Sequence, residues 1–175
     1  ITAIENATAV TYTSGNTTYY VDGSVEVRSF QSDGTLRGKT ITHVNGSKET
    51  YALNIVGQAY TTEYSTFDAK GALISLTRTQ ADGKMVFGKT VNNALGRTTS
   101  DQYNTAGLLT TRTIEQPGVV ETKNYAADGF TLLRHIVQQT GGLKDVWIYG
   151  ITGQTYTQAH EQYAANGTLT SLTRM

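Results

Sequence analysis

The chain has 175 residues, balances 14 basic against 14 acidic side chains for a net charge of zero, and contains no cysteine. That composition excludes disulfides, thiolate metal sites and a cysteine nucleophile, and it carries no electrostatic footprint for nucleic acid or an anionic membrane. Only 16% of residues are charged, against roughly 25% in an average globular chain, so Thr, Ser, Asn, Gln and Tyr must form the wet surface.

The length suits one domain, residues 1–175. No apolar run approaches the roughly 18 residues of a membrane span. The opening ITAIENATAV lacks the basic start of a signal peptide. The sequence reads as an internal piece of a longer secreted chain, covalently joined to other domains. Residues 1–20 read as the degraded start of a first repeat. From there, turn signals recur at Gly15, Asp22-Gly23, Asp33-Gly34, Asn45-Gly46, Gly57, Lys70-Gly71, Asp82-Gly83, Gly96, Gly107, Pro117-Gly118, Asp128-Gly129, Gly141-Gly142, Gly153 and Asn166-Gly167, mostly 11 to 14 residues apart. Asn-Gly and Asp-Gly accept positive φ at both central positions of a type I′ turn. Thr- and Val-rich runs lie between the turns. The pattern predicts an all-β antiparallel hairpin meander of roughly 12 to 15 strands. VFGKTVNNALGRT (86–98) comes nearest to a helix, but it holds too many Val, Thr, Asn and Gly.

IVGQAYTTEYSTFDAKGALISLTR (55–78) returns as ITGQTYTQAHEQYAANGTLTSLTR (151–174), and residues 42–79 align with 138–175 without a gap. Gln58 falls on Gln154, Tyr60 on Tyr156, Phe67 on Tyr163, Leu73 on Leu169 and Arg78 on Arg174. A shorter echo occupies 94–113. A self-similar unit that cannot bury its own face must stack on its neighbours. Leu73 and Leu76 have opposite parity along a strand, as do Leu169 and Leu172. Either both faces are covered there or a bulge intervenes, which predicts a coiled or barrel-like sheet.

These motifs, Gly150-Ile151-Thr152-Gly153-Gln154 and the aromatic-Asp-Ala-x-Gly-x-Leu text of 67–73 leading into Ser75-Leu76-Thr77-Arg78, resemble tandem repeats in large secreted proteins of soil and plant-associated bacteria. The resemblance covers residues 21–175. In those proteins the repeats stand beside glycoside hydrolase or polysaccharide lyase domains and type I secretion regions. The resemblance implies an extracellular accessory module. A more distant similarity, to the Tyr-Asp repeats of toxin-encapsulating shells, keeps the Asp only at Asp68; Asn104, Ala126 and Ala164 replace it.

Residues that carry chemistry are sparse. His43, His135 and His160 form no HExxH or HxH pair. Asp101, Glu115, Glu121, Asp145 and Glu161 show no spacing of a general acid–base pair, and most Asp residues precede Gly in turns, where they serve the local backbone. No enzyme is expected, and no cofactor. Calcium has one thin candidate, Gly141-Gly142-Leu143-Lys144-Asp145, in which Lys144 stands where a calcium-binding glycine repeat needs its third Gly.

LKDVWIYG (143–150) is the most informative stretch. Alternation puts Val146 and Ile148 on a buried face and Asp145, Trp147 and Tyr149 together on the other. In the earlier copy Tyr51 and Glu49 hold the Trp147 and Asp145 positions. Flat rings beside amides and carboxylates suit a sugar surface, with pyranose C–H faces on the rings; large aromatics equally cover the second face of a sheet or pair across strands. Tyr60 with Tyr64, Tyr156 with His160, and the loop residues Gln58 and Gln154 extend the pattern. Arg78 and Arg174 are expected to cap sheet edges or pair with carboxylates. The candidate ligand-binding set is therefore Trp147, Tyr149, Asp145, Tyr51, Tyr156 and Gln154. The expected function is a noncatalytic polysaccharide-binding module of a secreted bacterial multidomain protein, with a structural spacer or adhesive repeat as the rival. A third reading is an enzyme whose residues meet only in three dimensions.

Overall fold

A computed structural model describes residues 10–175, so residues 1–9 of the expected degraded repeat start lie outside the described residues. Two compact units divide the chain, Ile1–Gly83 and Lys84–Met175. The first holds β1 (Val10–Ser14), β2 (Thr17–Tyr20), β3 (Val25–Phe30), β4 (Leu36–Thr42), β5 (Lys48–Ala52), β6 (Thr62–Phe67) and β7 (Leu73–Thr79). The second holds β8 (Met85–Asn92), β9 (Arg97–Tyr103), β10 (Leu109–Gln116), β11 (Val119–Tyr125), β12 (Leu132–Gln139), β13 (Lys144–Tyr149), β14 (Gln158–Tyr163) and β15 (Leu169–Arg174). Within each unit every strand pairs antiparallel with the next one in the chain. No helix occurs among the described residues. The fold is the all-β hairpin meander that the glycine spacing predicts.

The turns sit where the glycines put them, but their type differs from the expected I′. A type I′ turn needs positive φ at both central residues. Among the described residues Asn54 is the one non-glycine with positive φ, so the residues before the turn glycines keep negative φ. At 43–47 the His43 carbonyl accepts from Gly46 N–H at 2.9 Å and His43 N–H donates to Ser47 at 2.9 Å. That is a type I turn closed by a left-handed glycine, the three-residue hairpin loop. The same pair of bonds recurs at 31–35, 68–72, 104–108 and 164–168. Side chains serve these turns as expected: Asn45, Asp33, Asp68 and Asn166 each accept a backbone N–H two residues on, at 2.8 to 3.0 Å.

A bulge resolves the leucine parity. Thr66 pairs with Ser75 and Phe67 with Leu73, so Ile74 is the extra residue. The extra residue re-phases the strand and brings Leu73 onto the same face as Leu76. Gln162 with Ser171 and Tyr163 with Leu169 repeat it one copy later. Aromatic–Leu pairs close three further hairpins in the same way, Phe30 with Leu36, Tyr103 with Leu109 and Tyr125 with Leu132. An aromatic ring and a leucine six or seven residues on thus close these five hairpins.

The barrel-like alternative is not realised. Strand order runs linearly from β1 to β7 and from β8 to β15, and each strand touches only its chain neighbours within its unit. Closure requires an interior filled by inward side chains. Here Val146 and Ala159 are the buried apolar residues among those described, while the buried polar ones are Thr18, Ser24, Glu26 and Ser65. Val146 is fully buried, as the alternation predicts, but Ile148 is only half-buried, like Trp147 on the other face. Most strand side chains are half-buried, so stability comes from pairs across neighbouring strands rather than from a central core.

Candidate functional site

The two copies of the repeat fold in one register. Lys48 faces Phe67, Tyr51 faces Tyr64 and Ala52 faces Glu63; Lys144 faces Tyr163, Trp147 faces His160 and Ile148 faces Ala159. Because β13 is regular, Asp145, Trp147 and Tyr149 share one face. Folding the chain at Gly141-Gly142 lays His135 of β12 opposite Trp147.

Trp147 is therefore sandwiched. Its ring stacks on His160 at 4.6 Å and 5°, and on His135 at 5.0 Å and 26°. The imidazoles cover both flat faces, and the indole presents its edge. His160 Nε2 lies 3.0 Å from Asp145 Oδ1, which also accepts from Gln162 Nε2 at 3.0 Å. His135 Nε2 comes within 2.8 Å of Glu121 Oε1, but it is buried and too far out of line for a hydrogen bond. Lys123 Nζ holds the same oxygen at 2.8 Å. The Lys123 contact, against the opposing effect of burial, holds Glu121 below the usual carboxylate range. Further along the row, Arg112 clamps Asp101 with two hydrogen bonds of 2.7 Å.

The first copy builds the equivalent with different chemistry. Tyr51 and Tyr64 rings lie 4.6 Å apart, tilted by 35°. Both hydroxyls donate to Glu49 Oε2 at 2.9 Å, and His43 Nε2 sits 2.9 Å from Oε1. Burial raises the Glu49 carboxyl, but the Tyr51, His43 and Tyr64 contacts outweigh it and the net shift is downward. Burial, then the bond to Glu49, raises both phenols. Lys39 Nζ reaches over the Tyr51 ring at 4.9 Å and also pairs with Glu26 at 3.1 Å. Glu26 is only 2% exposed; burial pushes it up, and Lys39 and Arg28 bring it below its ordinary value.

The five expected site residues of the second unit fall in two places. Asp145 and Trp147 join one ladder, with Tyr149 two residues beyond. Tyr51 holds the matching place in the other unit. Gln154 lies in the loop between β13 and β14, as expected, and so does Tyr156, which the i,i+4 pairing puts on a strand face. Tyr156 stacks under the Arg174 guanidinium at 5.3 Å, and Tyr60 under Arg78 at 4.7 Å. Arg174 belongs to the face opposite Trp147. The loops repeat faithfully: Ile55 N–H bonds Thr61 and Ile151 N–H bonds Thr157, each at 3.0 Å. Asn54 and Gly150 both turn left-handed to enter them. Sequence reasoning missed His135, Glu121 and Lys123, although pairing the strands across the Gly141 turn exposes His135 as the partner of Trp147.

The carboxylates that line two recesses among the described residues are engaged by neighbouring groups. A recess in the first unit brings Asp22, Glu26 and His43 together. There Asp22 accepts Ser24 N–H at 2.8 Å, and Glu26 is taken by two cations. A recess in the second unit holds Asp101, which Arg112 clamps. No grouping of three or more His, Asp or Glu fit to hold a metal occurs among the described residues, and Asp145 is engaged by His160 and Gln162 rather than turned to the Gly141-Gly142 loop. No protein-family model and no curated protein matches this chain.

Proposed function

We propose that the chain is a noncatalytic polysaccharide-binding module of a secreted bacterial multidomain protein. One observation carries the reading. The constellation of Gln, Tyr and Arg at Gln154, Tyr156 and Arg174 is presented twice, the other copy being Gln58, Tyr60 and Arg78, each with the guanidinium over the phenol ring. The Gln amides are exposed on loop tips. Guanidinium and amide groups are the donors and acceptors that sugar hydroxyls need, and a Tyr ring offers apolar surface to pyranose C–H groups. The secreted, bacterial setting rests on the resemblance of the repeats. Affinity per site is modest, because an open surface desolvates few groups.

A structural spacer or adhesive repeat is the second reading. It is favoured by Trp147, whose ring faces are spent on His135 and His160 rather than offered to a ligand. Affinity electrophoresis against a panel of neutral and acidic polysaccharides separates the two. Retardation that Tyr156→Ala weakens, with the β signal in circular dichroism unchanged, supports binding. No retardation by any member of the panel leaves the spacer.

A further inference from the structure

On the face opposite Trp147, one row crosses β12 to β15. It runs Arg134, Ile148, Ala159, Arg174, each paired with the next. One repeat earlier the same row runs Gly38, Ala52, Glu63, Arg78. In the first unit Glu63 gives Arg78 its carboxylate, Oε2 to Nε at 2.7 Å. In the second unit Ala159 stands in the place of Glu63, and Arg134 in the place of Gly38. Ile148 stands in the place of Ala52. Among the described residues, no carboxylate lies within ion-pair distance of Arg134 or Arg174.

Both guanidiniums are exposed, and their backbones stand three strand steps apart, roughly 14 Å at the usual strand spacing. Between them half-buried Ile148 and buried Ala159 form a low apolar floor. Lys144 adds a third cation on this face, with its Nζ 4.1 Å from the centre of the Tyr163 ring. Glu161 is the one acid on this face of β12–β15 among the described residues, and the Tyr163 hydroxyl donates to it at 2.6 Å.

We propose that the Arg134–Ile148–Ala159–Arg174 row binds the carboxylates of an acidic polysaccharide, a linear uronate polymer laid across the strands. This rests on the polysaccharide-binding reading and deepens it. Glu63 shows what the repeat places against this arginine when the group comes from the chain itself. A guanidinium fork matches a carboxylate edge to edge. Each exposed ion pair contributes little alone, so affinity accrues from several carboxylates on one polymer. A stiff polymer of ring-borne carboxylates loses less freedom on a flat face than a flexible acidic peptide does.

The test is affinity electrophoresis of the whole chain in gels containing polygalacturonate, its fully methyl-esterified form, or polyglutamate. Polygalacturonate should retard the protein, the ester should do so only weakly, and added salt should weaken the retardation. Arg134→Gln and Arg174→Gln should each weaken binding about tenfold, with circular dichroism unchanged. Ile148→Ala/Ala159→Glu, which copies the pair of the first unit, should match Arg174→Gln, because a carboxylate of the chain then occupies Arg174. Equal retardation by the ester refutes carboxylate recognition and leaves polysaccharide binding standing. Failure of every glycan, neutral or acidic, removes both. Unchanged binding in the double arginine variant overturns the assignment of this row. Polyglutamate binding as strongly as polygalacturonate makes the occupant a peptide, and the proposal falls.

Discussion

Trp147 and His160 lie face to face across β13 and β14, with ring centres 4.6 Å apart and planes 5° from parallel. That separation is close to the distance between neighbouring strands. Aromatic side chains standing upright on paired strands therefore stack on one another and leave their edges to solvent.

Replacing Trp147 with Ala removes both stacks and uncovers the imidazoles. Trp147 is half-buried, so the loss is expected below the ~3–5 kcal/mol of a fully buried Trp, at about 2 kcal/mol. Urea denaturation followed by far-UV circular dichroism measures it. A variant as stable as the parent would mean that the stack is incidental to the sheet.

The Glu49 cluster makes stability depend on pH at both ends. The folded Glu49 value is lowered despite burial, by Tyr51, His43 and Tyr64. Its contribution is full above the free value of about 4.3 and is lost as pH falls through the folded value. The Tyr51 and Tyr64 phenols are raised by burial and then by Glu49. Their contribution is full below about pH 10 and is lost as pH rises beyond it. Glu49→Gln should flatten the acid limb and blunt the alkaline one. Urea midpoints across pH check this; superimposable profiles for variant and parent would refute it.

Glu26 should tolerate change poorly for a surface-sheet acid. Its two cations, Arg28 and Lys39, remain part-exposed at 46% and 30%, so they recover water when it is removed. Glu26→Gln is expected to cost about 2 kcal/mol, the scale of charge-assisted hydrogen bonds. A denaturation midpoint within error of the parent would show that the two pairs contribute nothing net.

Two glycines should respond differently to alanine. At Gly34, φ is +84° with nothing near a new Cβ, so Gly34→Ala costs only the backbone strain, about 1–2 kcal/mol. At Gly38 a Cβ would press into the Tyr51 carbonyl oxygen of β5. Backbone cannot rotate away as a side chain does, so Gly38→Ala should part β4 from β5. Amide hydrogen exchange should speed up along Gly38–Thr42 and Lys48–Ala52, and unchanged protection there would contradict the contact.

Much of this fold is legible in the sequence because turns and repeats are local. Glycine positions locate every hairpin, and the gapless match of 42–79 with 138–175 carries the strand registers with it. The turn type was not legible from the dipeptide. Asn45-Gly46 suits a two-residue or a three-residue loop equally, and the bonds between His43, Gly46 and Ser47 decide between them. The fate of Trp147 was hidden for another reason. Alternation says which face a ring takes but not what stands on the next strand, and here it is His135 and His160. Tyr156 misled because its spacing to His160 fits a strand, whereas left-handed Gly150 and Gly153 had already turned the chain into a loop.

Strands that touch only their chain neighbours within a unit have a genetic consequence. A closed barrel sets its strand number by geometry, and losing two strands collapses the interior. An open meander held by adjacent pairs has no such quota. Five hairpins carry their own aromatic–Leu closure and bulge, so adding or deleting one of them would leave the remaining registers intact. In such an architecture strand number can change by whole hairpins without disturbing the pairs that remain.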